Sequence, residues 1–577
     1  MMQRWYVRVF LLGAMMSVAL LFIGMATAAP DQYDVTADFA AVLSAGPAAY
    51  GTNLWWTDQD AALWMARWAE LGPSWVRLYV SHALVEPEND DADPQHINWD
   101  GFRFDTPISV PAVMTRTMTY RNWFEALRDQ PDLHIMIHFS YLAPWLTNNP
   151  PHPAIPIPAA PYPPSDLAEY REFIAATARF LVEEVGFPPE RIAFEVMNEP
   201  DLGCGVDPAV PCFWQNWTMT DIRNVVNVTY QATEAVAPAI RLVGLAECCG
   251  TSIVRNLLDN YLEGDYLDGL TYHYYTSGYN LSGALTRAAE LSPYGLPLYL
   301  NEYGSFLYRS DGVNGALWHS LALPTLWRAG IAPLQYPISE WRLLDDPYNS
   351  MGLFEDWTGG WIRKPSYWVY TNFFHFFGEG ESISHTASAE LDILAGRRVL
   401  DDASQVTFWV VNRGALPLPD VVFTLHNFPT SQATLHIYDN LTGPTPLLTE
   451  TLQGTPLVFT TTLLVLSSRA FVLSSATLSP TLDYVLLTPA VATRVAGATI
   501  TYTLTAYDML EQNWDVTAVS AYTIQPGAGG SWDENRYTTE ITGSWTVTGT
   551  YQGQTNTATL LVWQPVSILY LPIILRG

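Results

Sequence analysis

The stretch IAFEVMNEP, Ile192–Pro200, is a short apolar run that ends in an Asn-Glu-Pro turn. A second stretch, LYLNEYG, Leu298–Gly304, repeats this design and also ends its apolar run in Asn-Glu. Short apolar runs bounded by turn residues are typical of strands that are buried on both faces. The two stretches therefore predict strands of a buried parallel sheet, with the carboxylates Glu199 and Glu302 at their ends.

Six further runs of this kind surround the two stretches, and amphipathic helical patterns such as SDLAEYREFIAATARFLVEEVG separate several of them. The eight runs are Tyr50–Leu54, Trp75–Val80, Leu133–Phe139, Ile192–Met197, Leu242–Ala246, Leu267–Tyr274, Leu298–Leu300 and Pro333–Ile338. Eight strands that alternate with helices predict an α/β protein with a (β/α)8 TIM barrel over residues 45–378. An open doubly wound sheet is the alternative, but no glycine-rich phosphate turn follows the first run.

The hydrophobic pattern of the sequence changes after the predicted barrel. Alternating stretches such as VTFWVVNR and ATLHIYD predict a β-sandwich over residues 379–476. Residues 480–565 read as a small immunoglobulin-like β domain, and residues 566–577 form a C-terminal tail. Residues 29–44 contain one more alternating stretch, which we expect to add a strand to the sandwich.

The bulk composition limits the classes of function. The 577 residues are 49% hydrophobic and 15% charged, which is typical of folded domains, and the formal net charge is −30. Such an acidic chain is a poor partner for nucleic acid or for an anionic membrane surface. Aromatic residues reach 13%, which suits either large cores or sugar-binding clefts, and composition does not separate these two.

The N-terminus resembles an export signal. Arg4 and Arg8 precede an apolar stretch that ends before Ala26-Thr27-Ala28, an A-x-A cleavage pattern. We predict a signal peptide over residues 1–28, with an uncleaved anchor as the alternative, and no membrane span in the mature chain. The tail ILYLPIILRG is either a last strand or a sorting tail of the kind found on exported bacterial proteins. We therefore expect a secreted or cell-surface protein of bacterial origin.

Export makes the four cysteines disulfide candidates. They are Cys204, Cys212, Cys248 and Cys249. Cys204–Cys212 would close a short loop and leave Cys248 and Cys249 as a vicinal bridge or two thiols, but the sequence does not choose the pairing. Because no histidine cluster lies near them, we predict no metal site, and no motif calls for a cofactor.

The two strand-end carboxylates carry the chemistry. In a TIM barrel, functional residues lie at the C-terminal ends of the strands, and the fourth and seventh strands face one another across the mouth. Glu199 and Glu302 would therefore oppose each other over a pocket, as the acid and the nucleophile or base of a glycoside hydrolase do. Glu195 lies deeper in the same strand, so we expect it to point into the barrel and pair with an arginine.

This ordered set resembles the clan A glycoside hydrolases, over residues 45–378. The opening GTNLWW, the VEPEND that follows the second strand, and the C-terminal β-sandwich look most like glycoside hydrolase family 39. Families 5, 30 and 79 share parts of the pattern. The resemblance implies Glu199 as acid/base, Glu302 as nucleophile and retention of the anomeric configuration. The cysteine-bearing loops after the fourth and fifth strands depart from the family pattern.

The resemblance also supplies a supporting set at other strand ends. It implies that Arg77 and Tyr275 hold the nucleophile, that Trp341 floors the subsite at the cleavage point, and that Asn198 binds the 2-hydroxyl of the sugar. His138 and His273 complete the expected substrate-binding residues. The arrangement predicts a carboxyl separation of about 5–5.5 Å.

The function expected from the sequence is therefore that of a secreted retaining glycosidase that cleaves a poly- or oligosaccharide by double displacement. A transglycosylase would use the same residues and differ only in excluding water. A carbohydrate-binding or cell-surface protein without catalysis is the alternative from a different class, and the extra C-terminal modules favour it.

Overall fold

The structure is a computed structural model. It describes residues 33–564 except 48, 55–66, 69–70, 92, 108, 111–113, 116–118, 153–156, 203–213, 307–311, 337–350, 355–361, 379, 401–402, 444–445, 476–481 and 509–512. The predicted signal peptide and C-terminal tail lie outside these residues. Within the described part of the chain, no helix is long and apolar enough to cross a bilayer.

Eight parallel strands form the barrel, which confirms the predicted (β/α)8 fold. In chain order they are Gly51–Asn53, Trp75–Ser81, His134–Ser140, Ile192–Glu195, Arg241–Val243, Leu270–Thr276, Leu298–Ser305 and Ile331–Gln335, called the first to eighth barrel strands below. Each strand pairs with its neighbours in sequence, and the eighth pairs with the first. A bridge between Val243 and Gly269 joins the fifth strand to the start of the sixth and closes the barrel.

An apolar layer closes the N-terminal end of the barrel. Most of its residues come from the first three positions of the strands; the layer consists of Trp75, Met136, Ala193, Val243, Tyr299, Ala332 and Leu334. Gly51 makes this end compact, because a Cβ at that position would lie 2.0 Å from the carbonyl oxygen of Trp75. The polar side chains of the strands are thereby left to the opposite, C-terminal end.

The helices surround the strands. Their bounds are His82–Val85, Tyr120–Arg128, Pro144–Thr147, Leu167–Arg179, Met219–Val236, Ser252–Asn260, Ser282–Leu291, Val313–Arg328 and Pro365–Phe377. Leu167–Arg179 is the predicted SDLAEYREFI helix, and its N-cap is Asp166, whose Oδ1 accepts from the backbone N–H groups of Ala168 and Glu169. A short carboxylate cap of this kind satisfies N–H groups that the helix itself leaves without acceptors.

A nine-stranded sheet follows the barrel. Its strands are Asp34–Ala45, Glu381–Ala387, Asp392–Val399, Ser404–Asn412, Leu418–His426, Gln432–Asp439, Pro446–Gln453, Leu457–Leu463 and Ser467–Ser474. Asp34–Ala45, from before the barrel, pairs with Glu381–Ala387 on one side and Leu418–His426 on the other. The rings of Phe423 and Phe471 lie 4.9 Å apart although their strands are not neighbours in the sheet, so the sheet folds over itself as a sandwich.

The sandwich packs directly against the barrel helices. Trp409 donates its indole N–H to the carbonyl oxygen of Ser320 at 2.9 Å, and its ring meets Phe373 at 5.2 Å. Both partners lie on barrel helices, Val313–Arg328 and Pro365–Phe377. The apolar core of the barrel therefore continues into one face of the sandwich.

The last region has a hydrophobic core of its own. Its strands are Leu482–Thr488, Val491–Val495, Thr499–Thr501, Thr503–Asp508, Asn513–Asp515, Ala521–Ile524, Ser531–Asp533, Arg536–Thr538, Gly543–Tyr551 and Gln554–Trp563. They form small sheets around residues such as Leu487, Tyr537 and Leu560. This is a separate β-rich region after the barrel and the sandwich.

Candidate active site

Arg77 organises the polar layer at the C-terminal end of the barrel. It lies on the second strand, is 1% exposed, and donates from Nε to Glu195 Oε2 at 2.7 Å. Its Nη1 donates to Glu302 Oε1 at 2.5 Å and to Asn53 Oδ1 at 3.0 Å, and its Nη2 donates to Asn198 Oδ1 at 2.5 Å. Burial alone would lower the pKa of Arg77, but Glu195 and Glu302 raise it above its ordinary value, so the guanidinium keeps its charge.

Glu195 is held as scaffold. Its side chain is fully buried, and it accepts from Arg77 on one oxygen and from Asn301 Nδ2 on the other. The expectation that Glu195 pairs with an arginine inside the barrel is confirmed, and the arginine is the same one that contacts Glu302. Glu195 is fully buried and does not line the cavity, so a substrate does not reach it.

Glu302 is held from two sides. Arg77 donates to Oε1, and the Tyr275 hydroxyl donates to Oε2 at 2.8 Å. Burial and the neighbouring Glu302 raise the pKa of Tyr275 well above its ordinary value, so the phenol keeps its proton and remains a donor. A cation therefore holds one oxygen of this carboxylate, and a hydroxyl donor holds the other.

Glu199 has the opposite environment. It accepts no bond from Arg77, and its Oε1 lies 2.8 Å from Nδ1 of His273. Burial raises the pKa of Glu199 to about 7, against the lowering effect of Arg77. Burial also lowers the pKa of His273 to about 4, so the imidazole is neutral at neutral pH. At neutral pH, Glu199 can therefore carry a proton, whereas Glu302 contacts the guanidinium of Arg77, which stays charged.

The backbone fixes the position of Glu199. The fourth strand ends at Glu195, and Glu199 has a φ of +49°, in the left-handed region that non-glycine residues seldom adopt. Its N–H donates to the carbonyl oxygen of Ala246 at 2.8 Å. Strained conformations of this kind concentrate at functional sites, where the surrounding structure enforces them.

The two carboxylates lie close together. One oxygen of Glu199, one oxygen of Glu302 and a ring nitrogen of His273 all lie within 4.8 Å of one another. Carboxyl groups of retaining glycosidases are about 5–5.5 Å apart, whereas inverting enzymes need about 6.5–9.5 Å to admit a water molecule. An upper limit of 4.8 Å between these oxygens is closer to the retaining spacing than to the inverting one.

The carboxylates open into a cavity of about 500 Å³. Every predicted substrate-binding residue that the structure describes, except His273, lines this cavity: Arg77, His138, Asn198 and Tyr275. His273 lies behind Glu199, its side chain fully buried. Trp341 lies outside the described residues, so its expected place under the substrate stays a prediction.

His138 lies at the end of the third strand. Within the described part of the chain, its Nδ1 is buried without a hydrogen-bond partner, while its ring lies 5.3 Å from that of Tyr79. Burial lowers the pKa of His138 well below its ordinary value, so the ring is neutral. A neutral imidazole in the cavity wall can donate to or accept from a sugar hydroxyl.

Sequence reasoning missed several cavity residues. Asn53, Tyr141, Phe306 and Tyr336 also line the pocket. Asn53 could have been predicted as a site residue, because it lies in GTNLWW at the end of the first strand, where TIM barrels carry functional residues. The aromatic residues follow their strands in loops, where the local pattern does not distinguish a cavity wall from loop packing.

A vicinal disulfide forms part of the cavity wall. Cys248 and Cys249 are bonded to each other, and both line the pocket. The Asp201 carboxylate accepts from both of their backbone N–H groups, at 2.9 and 2.7 Å, and anchors the pair next to the Asn-Glu-Pro turn. Cys204 and Cys212, the other two disulfide candidates, lie outside the described residues.

No family model matches the sequence, and no curated protein matches it either. Solved structures do. A family 39 enzyme from Xanthomonas axonopodis pv. citri is similar with a TM-score of 0.54 at 14% identity, over 78% of this chain and 98% of that one. A β-xylosidase from Caulobacter crescentus has a TM-score of 0.55 at 16% identity, with 76% and 99% covered.

A family 30 subfamily 8 xylanase from Clostridium acetobutylicum is also similar, with a TM-score of 0.54 at 14% identity, over 77% of this chain and all of that one. At such identities the likeness shows a shared fold. The protein described here therefore has the barrel-and-sandwich fold of family 39 and family 30 glycoside hydrolases, as the sequence resemblance implied.

Proposed function

We propose that the protein is a retaining glycoside hydrolase, with Glu302 as nucleophile and Glu199 as acid/base. The observation that carries the proposal is the pair itself: two carboxylates with oxygens within 4.8 Å of each other, in contrasting environments, at one cavity. Pairs of titratable groups whose surroundings separate their protonation states are the usual basis of acid and nucleophile assignment. The barrel fold supports the proposal, because both residues follow or end strands at the C-terminal side, where TIM-barrel enzymes carry their functional residues.

In the first step, a carboxylate oxygen of Glu302 forms a bond to the anomeric carbon as the bond from that carbon to the glycosidic oxygen breaks. Glu199 gives its proton to the departing oxygen. Arg77 and the Tyr275 hydroxyl hold the Glu302 carboxylate in position until it attacks. Asn198, which is itself held by Arg77, is available to the 2-hydroxyl of the sugar, where contacts strengthen in the transition state.

In the second step, Glu199 has become a carboxylate and takes a proton from water. The water oxygen bonds to the anomeric carbon, and the bond to Glu302 breaks. The two displacements restore the original anomeric configuration and return both carboxyl groups to their starting states. A pKa of about 7 suits Glu199 to both roles, because the group must give a proton in one step and take it back in the other.

We further propose that the substrate is a β-linked poly- or oligosaccharide of glucosyl or xylosyl units. Support comes from structural neighbours named as a glucosidase, β-xylosidases and xylanases. Phe306 stacks beside Tyr275 at 5.3 Å, and Tyr336 lies across Tyr275 at 6.3 Å. Aromatic faces of this kind pack against the C–H groups of a pyranose.

We also propose that the protein is exported, on the strength of the signal-like N-terminus and its A-x-A site. The two β-rich regions after the barrel suit attachment at a cell surface. Fractionation of expressing cells, with N-terminal sequencing of the mature chain, tests this: a chain that begins at Ala29 and lies outside the cytoplasm is expected.

The deciding experiment is product analysis by proton NMR on a panel of aryl β-glucosides, aryl β-xylosides and xylan. The first product formed should be the β-anomer, which then mutarotates. A first product of the α-configuration would overturn the retaining mechanism, and no turnover of any member would favour the carbohydrate-binding alternative. Added alcohol acceptors distinguish hydrolysis from transfer, since a transglycosylase would give mainly alkyl glycoside.

A further inference from the structure

A second group of buried carboxylates lies away from the cavity, between the loop that follows the second strand and the helix Leu167–Arg179. Glu86 and Asp90 come from the loop, and Glu169 and Glu172 come from the helix. Glu86 is 1% exposed, Glu169 8% and Glu172 4%. One oxygen each of Asp90, Glu169 and Glu172 lies within 4.8 Å of the others. We call these four residues the acidic cluster.

Basic groups of the described chain do not neutralise the acidic cluster. Among the described residues, no arginine or lysine forms an ion pair with any of the four carboxylates. The nearest nitrogen base is His82, whose Nε2 lies 3.3 Å from Glu86 Oε2. Its Nδ1 accepts from the Ala143 N–H at 2.9 Å, and burial lowers the pKa of His82 to about 3. His82 is therefore a neutral Nε2–H tautomer and supplies no positive charge.

Two oxygens of the acidic cluster have no partner. In the described structure, Glu169 Oε2 and Glu172 Oε1 are buried and make no hydrogen bond. Buried carboxylate oxygens without donors are unfavourable unless a ligand satisfies them.

Asp90 is held in place for such a ligand. Its Oδ1 accepts from the Asp91 N–H and its Oδ2 from the Asn98 N–H, both at 2.7 Å. Asn98 also donates from its amide to the Asp90 carbonyl oxygen at 3.0 Å. The loop thus fixes one carboxylate opposite the two that the helix presents, and fixed oxygens facing one another are what a hard cation requires.

We propose that the acidic cluster binds one calcium ion, with Asp90, Glu169 and Glu172 as direct ligands and Glu86 beside them. Calcium takes 6–8 oxygen ligands at about 2.3–2.6 Å, so ligands on opposite sides lie roughly 4.6–5.2 Å apart. The spread of the three oxygens agrees with this, and water completes the shell. The donor set contains only oxygen, which suits calcium rather than zinc.

The ion ties two elements of the barrel together. The Glu86 carbonyl oxygen accepts from the Trp145 indole N–H at 3.0 Å, and the ring of Trp145 lies 5.3 Å from that of His82. The acidic cluster therefore joins the loop after the second strand to the segments after the third. Its role is structural, and the inference stands whether or not the protein is a glycosidase.

Thermal unfolding of the full chain, stripped with EDTA and then freed of chelator, tests the proposal. Calcium chloride at about 1 mM should raise the Tm by at least about 3 °C, and calorimetric titration should give one ion per chain. E172Q should lose this response. E183Q is the control and should keep the calcium response, because Glu183 is exposed and lies just beyond the same helix.

Three outcomes would overturn the proposal. An unchanged wild-type Tm would show that no calcium binds, and an equal shift in E172Q would place any bound calcium elsewhere. An equal shift with magnesium chloride at the same concentration would reject calcium as the preferred ion, since magnesium fits carboxylate cages poorly. If E172Q does not fold, as judged by circular dichroism, D90N replaces it and should likewise lose the calcium response.

Discussion

The barrel contains two groups of buried carboxylates that differ in one respect. The layer around Arg77 holds Glu195 and Glu302 against a guanidinium that donates to both. Among the described residues, the acidic cluster holds Glu86, Glu169 and Glu172 without an arginine or lysine, and the His82 ring beside Glu86 is neutral. The first group carries its own counter-charge, and the second depends on a partner from solution.

The comparison shows that burial alone does not define what a carboxylate does. Inside a protein, a charge must be paired, protonated or coordinated, because the cost of leaving it bare is large. Glu302 is paired, Glu199 is poised to hold a proton, and the acidic cluster is built for coordination. Loss of a charged side chain should therefore change stability with opposite signs in the two groups. Loss of Arg77 should destabilise the protein, and loss of a carboxylate from the acidic cluster should stabilise the metal-free protein.

The largest effect is expected at Glu302. E302Q should lower kcat/KM on aryl β-glycosides by at least about 10⁴-fold, because a carboxamide cannot attack the anomeric carbon. E195Q is the matched control, since Glu195 binds the same Arg77 but does not line the cavity, and it should lose less than about 100-fold. Azide should restore turnover to E302Q with an α-glycosyl azide as product. An E302Q variant with near-wild-type activity would remove Glu302 from the mechanism.

The next effect is on stability. R77M leaves Glu195 and Glu302 buried without their cation and should lower the free energy of unfolding by about 3–5 kcal/mol. Urea unfolding followed by tryptophan fluorescence measures this. R179M, at an exposed arginine on the helix Leu167–Arg179, should change it by less than about 0.5 kcal/mol. A loss in R77M no greater than in R179M would contradict the role of Arg77 as a buried counter-charge.

The third effect is on pH dependence. Glu199 must be protonated to act as the acid, so kcat/KM should fall about tenfold per pH unit above a pKa of about 7, as the proton is lost. This fall in kcat/KM should be absent when E199Q acts on an aryl glycoside whose leaving group needs no acid. A wild-type profile that stays flat to about pH 9 on an alkyl glycoside would contradict the assignment of Glu199.

The smallest effect has the opposite sign. In chelator, E172Q should be more stable than wild type by roughly 1 kcal/mol, because it removes a carboxyl group from among others that lack a counter-charge. Urea unfolding in EDTA measures the difference. A loss of several kcal/mol in EDTA would mean that Glu172 contributes a favourable interaction of its own, which would break the contrast with Arg77.

Much of the barrel followed from local pattern. The predicted seventh strand, Leu298–Leu300, was shorter than the observed Leu298–Ser305, because the register shifts between Leu300 and Glu302 and pairing then resumes. A register shift of this kind changes the direction in which side chains point, and an apolar run carries no residue that marks it in the sequence. It lets Asn301 reach Glu195 while Glu302 reaches Arg77.

Glu195 and Glu199 do not lie on one continuous strand, although the sequence pattern assigned both to the same strand. The strand ends at Glu195, and the turn, not the pleat, sets the direction of Glu199. The result still separates the two residues as the sequence argument did, with Glu195 on Arg77 and Glu199 near His273.

The sequence by itself determined the barrel, the sandwich and the strand-end positions of the two carboxylates. These depend on the periodicity and turn residues of short segments, which act locally. Only the tertiary structure decided which carboxylate meets which counter-charge. It brings Arg77 to both Glu195 and Glu302, leaves His273 as the neighbour of Glu199, and gathers Glu86 and Glu172 from distant segments around no cation at all in the described chain. Charge pairing acts across the fold, between residues that no local pattern connects.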